Sequence, residues 1–279
     1  MLQGFDIRQR WLFENRPIRG TAVFLDHTVQ KALQTRAYSL EEKTLLAEAL
    51  LSAVLLGGIG KQSGKILLQF QGTGSIKLLS AQATQSGHIR AALQTASGDI
   101  KTQDLQKGTL GVIYQPDAVA QHYQSIVEAV PGGLIPSLEH YFLQSEQILT
   151  KIQCFEHAGR YAAFLWQVLP DDGRDLQEDA FRYVRALADT VTAQEVFEKP
   201  LKTLLTQLFH EDLIRLMDPE SLTYGCEDRE KRFENAVLSL GKKEAMSILD
   251  EHTHINLTCE FCGKDFVFDR IAVEQLFLK

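Results

Sequence analysis

The feature that most constrains this chain is a pair of cysteines near its C-terminal end. Residues 259–264 read Cys-Glu-Phe-Cys-Gly-Lys and lie between two short strand-like segments. Two intervening residues let both thiolates reach one zinc ion, and the glycine accommodates the unusual backbone angles of the turn. The pattern therefore predicts a metal knuckle, in which the pair supplies half of a tetrahedral ligand set.

The remaining ligands have to come from elsewhere in the chain. Cys226 is the candidate third ligand. Carboxylate oxygens and neutral imidazoles also bind zinc, so three side chains are competent as the fourth ligand: Asp228, His252 and His254. The alternative for Cys226 is that it is simply a small buried apolar residue. The fourth cysteine, Cys154, lies in an apolar run and is expected to be a buried thiol.

The composition predicts a globular protein with more than one domain. A chain of 279 residues exceeds a comfortable single core, and 44% hydrophobic residues are typical of folded proteins. The net charge of -7 argues against a partner bound mainly through its phosphates, so no nucleic acid is expected.

The sequence also predicts a cytoplasmic protein. The most apolar stretch, residues 45–56, is interrupted by Glu48 and is too short to cross a bilayer. The first residues lack the basic flank and apolar run of a secretory signal. In the cytosol cysteines stay reduced, so metal ligation or transient redox chemistry is expected for them.

The first part of the chain predicts an α+β domain with a mostly antiparallel sheet. Asp26 is a candidate N-cap for a short helix at 27–36, and Ser39 with Glu42 forms a capping box for a buried helix that Gly57 and Gly58 end. Alternating apolar residues predict hairpins at 65–78 and 148–169, and further strands at 89–93, 111–114 and 123–127. A helix is expected at 134–144. Strands that neighbour one another without regular crossover helices favour antiparallel pairing.

The rest of the chain predicts a helical linker and a small C-terminal domain. Helical patterns occupy 181–187 and 201–209, with Pro200 in the first turn of the second. We place the domains at 1–172, 173–225 and 226–279. The last is expected to contain helices at 229–240 and 242–249, strands at 255–257 and 266–268, and a closing helix. Its expected core is Phe233, Val237, Leu240, Phe266 and Phe268.

No catalytic motif stands out. The sequence has no Gly-rich phosphate loop and no Gly-x-Ser-x-Gly elbow. The scattered histidines are expected to be structural or on the surface. We therefore expect no enzymatic activity.

Several segments, in order along nearly the whole chain, resemble the heat shock protein 33 family of redox-regulated holdase chaperones. They are 11–15 (Trp-Leu-Phe-Glu-Asn) with 18–20 (Ile-Arg-Gly), 123–127 (Tyr-Gln-Ser-Ile-Val), 139–147 (Glu-His-Tyr-Phe-Leu-Gln-Ser-Glu-Gln), 165–170 (Leu-Trp-Gln-Val-Leu-Pro), 208–211 (Leu-Phe-His-Glu), 234–241 (Glu-Asn-Ala-Val-Leu-Ser-Leu-Gly) and 259–263 (Cys-Glu-Phe-Cys-Gly).

The resemblance implies a chaperone that binds unfolding client proteins without ATP. In that family, four cysteines hold zinc in the reduced, inactive protein. Oxidation forms two disulfides, expels zinc and loosens the linker, which makes apolar surface available to clients. A homodimer of the active form is left open.

This chain departs from the family pattern at one ligand. The first pair, Cys-x-Cys in the family, is here Cys226-Glu227-Asp228. The resemblance then implies zinc held by Cys226, Cys259 and Cys262 with Asp228, and a redox disulfide between Cys259 and Cys262. A second hypothesis is an empty site in a module folded by its own core, with constitutive or heat-dependent activity. A third is that Cys226 forms intermolecular disulfides.

Two other classes of function remain as alternatives. A zinc-ribbon protein that binds nucleic acid is disfavoured, because the residues from Cys226 onward include 11 acidic and 8 basic ones. A thiol oxidoreductase using Cys259 and Cys262 would place the pair at the start of a helix. Here the pair is expected between strands.

Overall fold

The computed structural model of the protein describes residues 4–59, 64–96, 100, 102–118, 121–169, 174–226 and 229–278. The chain divides into two compact units, Met1–Tyr224 and Gly225–Lys279. Within the described residues, no helix combines the length and the apolarity that a membrane crossing requires.

The first unit contains most of the helices and strands. In chain order they are β1 (Ile7–Phe13), β2 (Ile18–Leu25), α1 (His27–Leu33), α2 (Leu40–Gly57), β3 (Gly64–Gly72), β4 (Ile76–Thr84), β5 (His88–Thr95), β6 (Gly108–Pro116), β7 (Tyr123–Glu128), α3 (Leu134–Tyr141), β8 (Thr150–His157), β9 (Arg160–Val168), α4 (Arg174–Ala188), α5 (Ala193–Glu198), α6 (Leu201–Leu208), β10 (Ile214–Leu216), β11 (Glu220–Ser221) and β12 (Thr223–Tyr224).

The second unit is a helical module around one hairpin. Its elements are α7 (Arg229–Leu240), α8 (Lys242–Glu251), β13 (Ile255–Thr258), β14 (Asp265–Phe268) and α9 (Arg270–Leu276).

The first unit is built from two sheets with helix α2 between them. The first sheet has the order β10-β1-β2-β9-β8, with β11 also paired to β1, and the second has the order β12-β5-β4-β3-β6-β7. Among the described strand pairs only β12 with β5 is parallel. Helix α2 contacts strands of both sheets, which explains why its apolar residues surround the helix. The predicted α+β class with mostly antiparallel strands is confirmed.

Strands β2 and β9 are buried on both faces. Successive side chains of a strand point to opposite faces. Val23 and Leu165 therefore belong to the core that contains α2, whereas Phe24 and Trp166 belong to a second core on the other face of the sheet.

The segment after residue 173 covers this second face. Helices α4, α5 and α6 contribute apolar side chains to the second core, among them Val184, Phe197 and Leu204. The same segment also supplies β10 and β11, which pair with β1, and β12, which extends the other sheet. The predicted helical linker thus also carries three short strands and packs within the first unit.

Two carboxylates fasten this segment to the first strands. The side chain of Asp212 is fully buried and accepts hydrogen bonds from Asn15 Nδ2 at 2.9 Å, Arg16 Nε at 2.6 Å and Tyr183 Oη at 2.8 Å. Burial alone would raise the pKa of Asp212, but these hydrogen bonds outweigh burial and lower the pKa.

Glu220 plays the same part further along the segment. It pairs with Arg8, which is 2% exposed, and with Arg10 at 2.6 Å. These two arginines outweigh the effect of burial and lower the pKa of Glu220.

Several local predictions are confirmed and some are wrong. The capping box of Ser39 and Glu42 starts α2 as predicted. Asp26 makes no side-chain cap to α1, because the carboxylate of Asp6 accepts from the N–H groups of Asp26, His27 and Thr28 instead. Helix α1 ends at Leu33 rather than at 36.

The predicted helix at 134–144 is also shorter than expected. It ends as an α-helix at Tyr141 and continues as a π-helical turn, Phe142–Glu146. In the second unit Leu240 is 43% exposed, so its predicted place in the core is wrong. Cys154 is partly buried and packs against the first core. Burial, then the charges of Glu48 and Glu139, raise the pKa of its thiol.

We expect Asp212→Asn to lower the free energy of unfolding of the first unit by about 2 kcal/mol at pH 7, because charge-assisted hydrogen bonds are lost from a buried site. The folded-state pKa lies below the ordinary value of 3.8. The contribution is therefore complete above about pH 5 and disappears as the pH falls through the folded-state value. Urea unfolding followed by the fluorescence of Trp11 and Trp166 measures it.

Asp218→Asn is the matched control, since Asp218 is exposed in the same segment. An equal loss of stability in both variants, or a difference that does not diminish as the pH falls below 3.8, would contradict the assigned role of Asp212.

We expect Glu48→Gln to stabilise the protein by roughly 1–3 kcal/mol at pH 8. Burial in the apolar helix α2 raises the pKa of Glu48 to about 7 from 4.5. The native state therefore binds the extra proton, and stability falls as the pH rises from 4.5 to about 7. The variant should match the wild type near pH 4. Urea midpoints at both pH values test this, with Glu41→Gln, at an exposed site of the same helix, as control.

Candidate metal centre

The hairpin of the second unit positions the Cys-x-x-Cys pair. Strands β13 and β14 pair from Ile255 with Phe268 to Thr258 with Asp265, so residues 259–264 form the connecting turn. The N–H of Cys259 donates to the carbonyl of Lys264, and the N–H of Gly263 donates to the carbonyl of Cys259, both at 2.8 Å. Gly263 has φ +66°, in the left-handed region where glycine is favoured. The turn therefore requires this glycine.

Cys226 joins the pair from a distant part of the chain. Its Sγ lies 3.8 Å from the Sγ of Cys259, and the three sulfurs of Cys226, Cys259 and Cys262 all lie within 4.8 Å of one another. Two sulfurs bound to one tetrahedral zinc at about 2.3 Å are about 3.8 Å apart. A disulfide would bring them to about 2.05 Å. The spacing and the all-sulfur donor set thus fit a shared metal ion, while the role of these residues as ligands stays a prediction.

The other predicted ligand candidates lie elsewhere. His252 and His254 are exposed and are not part of the sulfur cluster. Asp228 lies outside the described residues. Among the residues that the structure describes, no carboxylate or imidazole joins the three sulfurs.

The surroundings shift the pKa values of two of the thiols in opposite directions. Burial would raise the pKa of Cys259, but hydrogen bonds from the N–H groups of Cys262 and Phe261 and from the neighbouring thiols outweigh it, and the pKa is lowered. For Cys226, burial and then the facing sulfurs of Cys259 and Cys262 raise the pKa of the thiol. Cys259 is 1% exposed. The thiolate form is therefore favoured at Cys259 and disfavoured at Cys226 unless a cation is present.

A cationic side chain that the sequence analysis did not single out also faces the cluster. Arg232, in the first half of α7, places Nη2 3.8 Å from the Sγ of Cys259. The next residue, Phe233, stacks on Phe266 with ring centroids 4.3 Å apart. This stack joins α7 to the hairpin. In the sequence, the nearness of Arg232 to Cys226, six residues earlier, was the one indication that it could lie at the cluster.

The apolar core of this unit is small. Among the described residues it consists of six buried ones: Val237, Ala245, Leu249, Ile255, Val273 and Leu276. Modules of this size commonly need a metal or disulfides to fold stably. The cluster of sulfurs is well placed to supply such a cross-link.

Comparison with known proteins gives a consistent picture. The family model "Hsp33 protein" matches residues 6–269. A 33 kDa chaperonin of Hahella chejuensis is 35% identical over 277 residues, covering 98% of this chain and 97% of the relative. One of Shewanella sediminis is 33% identical, covering 98% and 96%.

The fold is shared with a solved structure as well. The crystal structure of the 33 kDa chaperonin (heat shock protein 33 homolog) of Thermotoga maritima has a TM-score of 0.79 at 20% identity and covers 98% of both chains. With the family model and the curated relatives spanning nearly its whole length, this chain belongs to the Hsp33 family.

Proposed function

We propose that this protein is an ATP-independent chaperone that binds unfolding proteins and holds them out of aggregates, and that the bonding state of its C-terminal cysteines regulates it. The family membership supports the chaperone role. The observation that carries the regulation is the meeting of three sulfurs within 4.8 Å in a unit with a small core.

We propose Cys226, Cys259 and Cys262 as ligands of one zinc ion, with Asp228 as the fourth. Bound zinc would cross-link the start of α7 to the hairpin and contribute on the order of 10 kcal/mol to folding the unit. The ligands have to be thiolates to bind it. The N–H donors around Cys259 already favour that form.

Oxidation would remove this cross-link. When hydrogen peroxide oxidises the thiols of Cys259 and Cys262, each thiol loses one electron and one proton. A disulfide forms, and the peroxide is reduced to two molecules of water. A sulfur in a disulfide is no longer a thiolate ligand, so the metal site loses two donors at once. Cys226 is then left as a single thiol, free for intermolecular pairing.

The surface offered to clients is proposed to be the sheet face beneath α4, α5 and α6. This face carries large aromatic side chains that are at most 2% exposed: Trp11, Phe13, Phe24, Phe164 and Trp166. The covering segment ends at Tyr224, two residues before Cys226. A loss of order at Cys226 would therefore reach the covering segment through only two residues of chain.

The two alternatives receive less support. The pair Cys259 and Cys262 lies between two strands, not at the start of a helix, which disfavours a thiol oxidoreductase. The acidic balance of the second unit disfavours a nucleic-acid partner. A cytoplasmic location, the absence of enzymatic activity and a homodimer of the active form remain parts of the proposal.

We expect the protein purified under reducing conditions to hold one zinc per chain, and Cys259→Ser to hold far less, because one of three thiolates is lost. Metal analysis by mass spectrometry measures both. Cys154→Ser, in the other unit, is the control and should retain zinc. Equal zinc in Cys259→Ser and the wild type would contradict the proposed ligand set.

We expect peroxide-treated protein to suppress aggregation of a heat-denatured test protein more strongly than the reduced form, since oxidation opens the metal site. Light scattering measures suppression, and thiol mapping by mass spectrometry should find Cys259 and Cys262 joined. Cys262→Ser should not respond to peroxide, whereas Cys154→Ser should.

Three outcomes separate the parts of this proposal. If neither form suppresses aggregation, the chaperone role is wrong. If both forms suppress it equally, the chaperone role stands and redox regulation is wrong. A dimer that reductant removes, with Cys259 and Cys262 unpaired, would assign the response to Cys226 instead.

A further inference from the structure

One nitrogen of a half-buried guanidinium in the second unit lacks a hydrogen-bond partner among the described residues. Nη2 of Arg232 faces the sulfur of Cys259 at 3.8 Å. Nη1 of the same side chain is buried and has no hydrogen-bond partner among the described residues. An unsatisfied buried donor on a charged group costs stability, and native proteins rarely keep one without a reason.

The charge of the proposed metal centre supplies such a reason. A zinc ion carries two positive charges, and three thiolates carry three negative ones. The set is therefore anionic, and a carboxylate as the fourth ligand would add another negative charge. Because Cys259 is 1% exposed, water shields little of the charge on its sulfur, while Cys226 and Cys262 are only partly buried. A buried charge is tolerated when it is paired.

Arg232 is suited to that pairing. Its side chain is charged at every physiological pH and presents several donors in a planar fork. One arm of the fork lies against a sulfur, and the other is still free to donate. The stack of Phe233 on Phe266 fixes this turn of α7 against the hairpin, so the guanidinium is held by a well-packed element.

We propose that Arg232 is a positioning residue of the metal centre. Its charge balances the thiolates through the contact of Nη2 with the sulfur of Cys259. This inference rests on the proposed zinc site and deepens it: the ligand set, with three thiolates, is anionic, and a cation beside it stabilises it. Partners that hydrogen-bond metal ligands typically change metal affinity about 10- to 100-fold when removed.

The test compares variants of two neighbouring cations on the same helix. Zinc affinity of the full chain is measured by competition with a chromophoric chelator under reducing conditions. We expect Arg232→Met to bind zinc about 10- to 100-fold more weakly than the wild type. Lys231→Met removes the same charge from an exposed position of α7. It should bind zinc within about twofold of the wild type, because exposed charges are screened by solvent.

Two further variants separate charge from packing. Arg232→Lys keeps the positive charge, and Arg232→Gln keeps hydrogen-bond donors without it. We expect the lysine variant to bind zinc more tightly than the glutamine variant. Circular dichroism of all four variants, with and without zinc, shows whether the helices still form. The lysine and glutamine pair decides the question even if the methionine variant fails to fold.

The outcomes distinguish this inference from the proposed function. If the wild type holds zinc and Arg232→Met binds it as tightly as Lys231→Met does, the role of Arg232 is wrong and the chaperone proposal is untouched. If the glutamine variant equals or exceeds the lysine variant, charge balance is wrong. If the wild type binds no zinc, both the metal site and the role of Arg232 fail, while aggregation assays still report on the chaperone role.

Discussion

Strands β2 and β9 carry apolar side chains on both faces, and the first unit is arranged around this constraint. Neither face of such a sheet is stable in water, since each large apolar side chain gains about 1.5–3 kcal/mol from burial. Helix α2 covers one face as part of the core between the two sheets. The other face is covered mainly by helices of the segment after residue 173. Polar contacts of Asp212 and Glu220 with arginines near the first strand fasten that cover. A surface rich in aromatic rings is thus buried beneath a segment that ion pairs attach to the first strands.

In the second unit the apolar core is small, and specific cross-links matter more. Its six-residue apolar core is slight, and the sulfur cluster and the stack of Phe233 on Phe266 tie α7 to the hairpin. The bonding of the three sulfurs therefore accounts for a larger share of the stability of this unit than it could in the first, where the cores are extensive. The asymmetry suits a sensor, because a sensor has to be near its folding threshold while the surface that it controls stays intact.

The sequence predicted those parts of the fold that depend on local patterns. The capping box at Ser39 and the helices predicted at 229–240 and 242–249 follow from patterns within a few residues, and these elements begin where expected. The strands β1 and β2 were missed. Strand β1 contains a buried Arg8 whose partner Glu220 lies 212 residues away, so its apolar alternation is broken. The cap by Asp6 was missed because Asp6 lies 20 residues before Asp26 in the sequence, so no local pattern shows it. At the candidate site, the three cysteines were found from spacing and resemblance, whereas Arg232 required the packing of α7 on the hairpin.

The three sulfurs of the cluster are held in place in different ways. Cys259 and Cys262 are held near each other by the turn itself, through Gly263 and the hydrogen bonds that close the hairpin. Cys226 is followed by residues that the structure does not describe, and it meets the turn through its sulfur, 3.8 Å from that of Cys259. In the proposed switch, a disulfide between Cys259 and Cys262 would leave the hairpin closed and would remove two of the three sulfur ligands that hold the metal ion beside Cys226. Cys226 follows the covering segment by two residues. Of the three sulfurs it is therefore the nearest in sequence to the helices that cover the aromatic face.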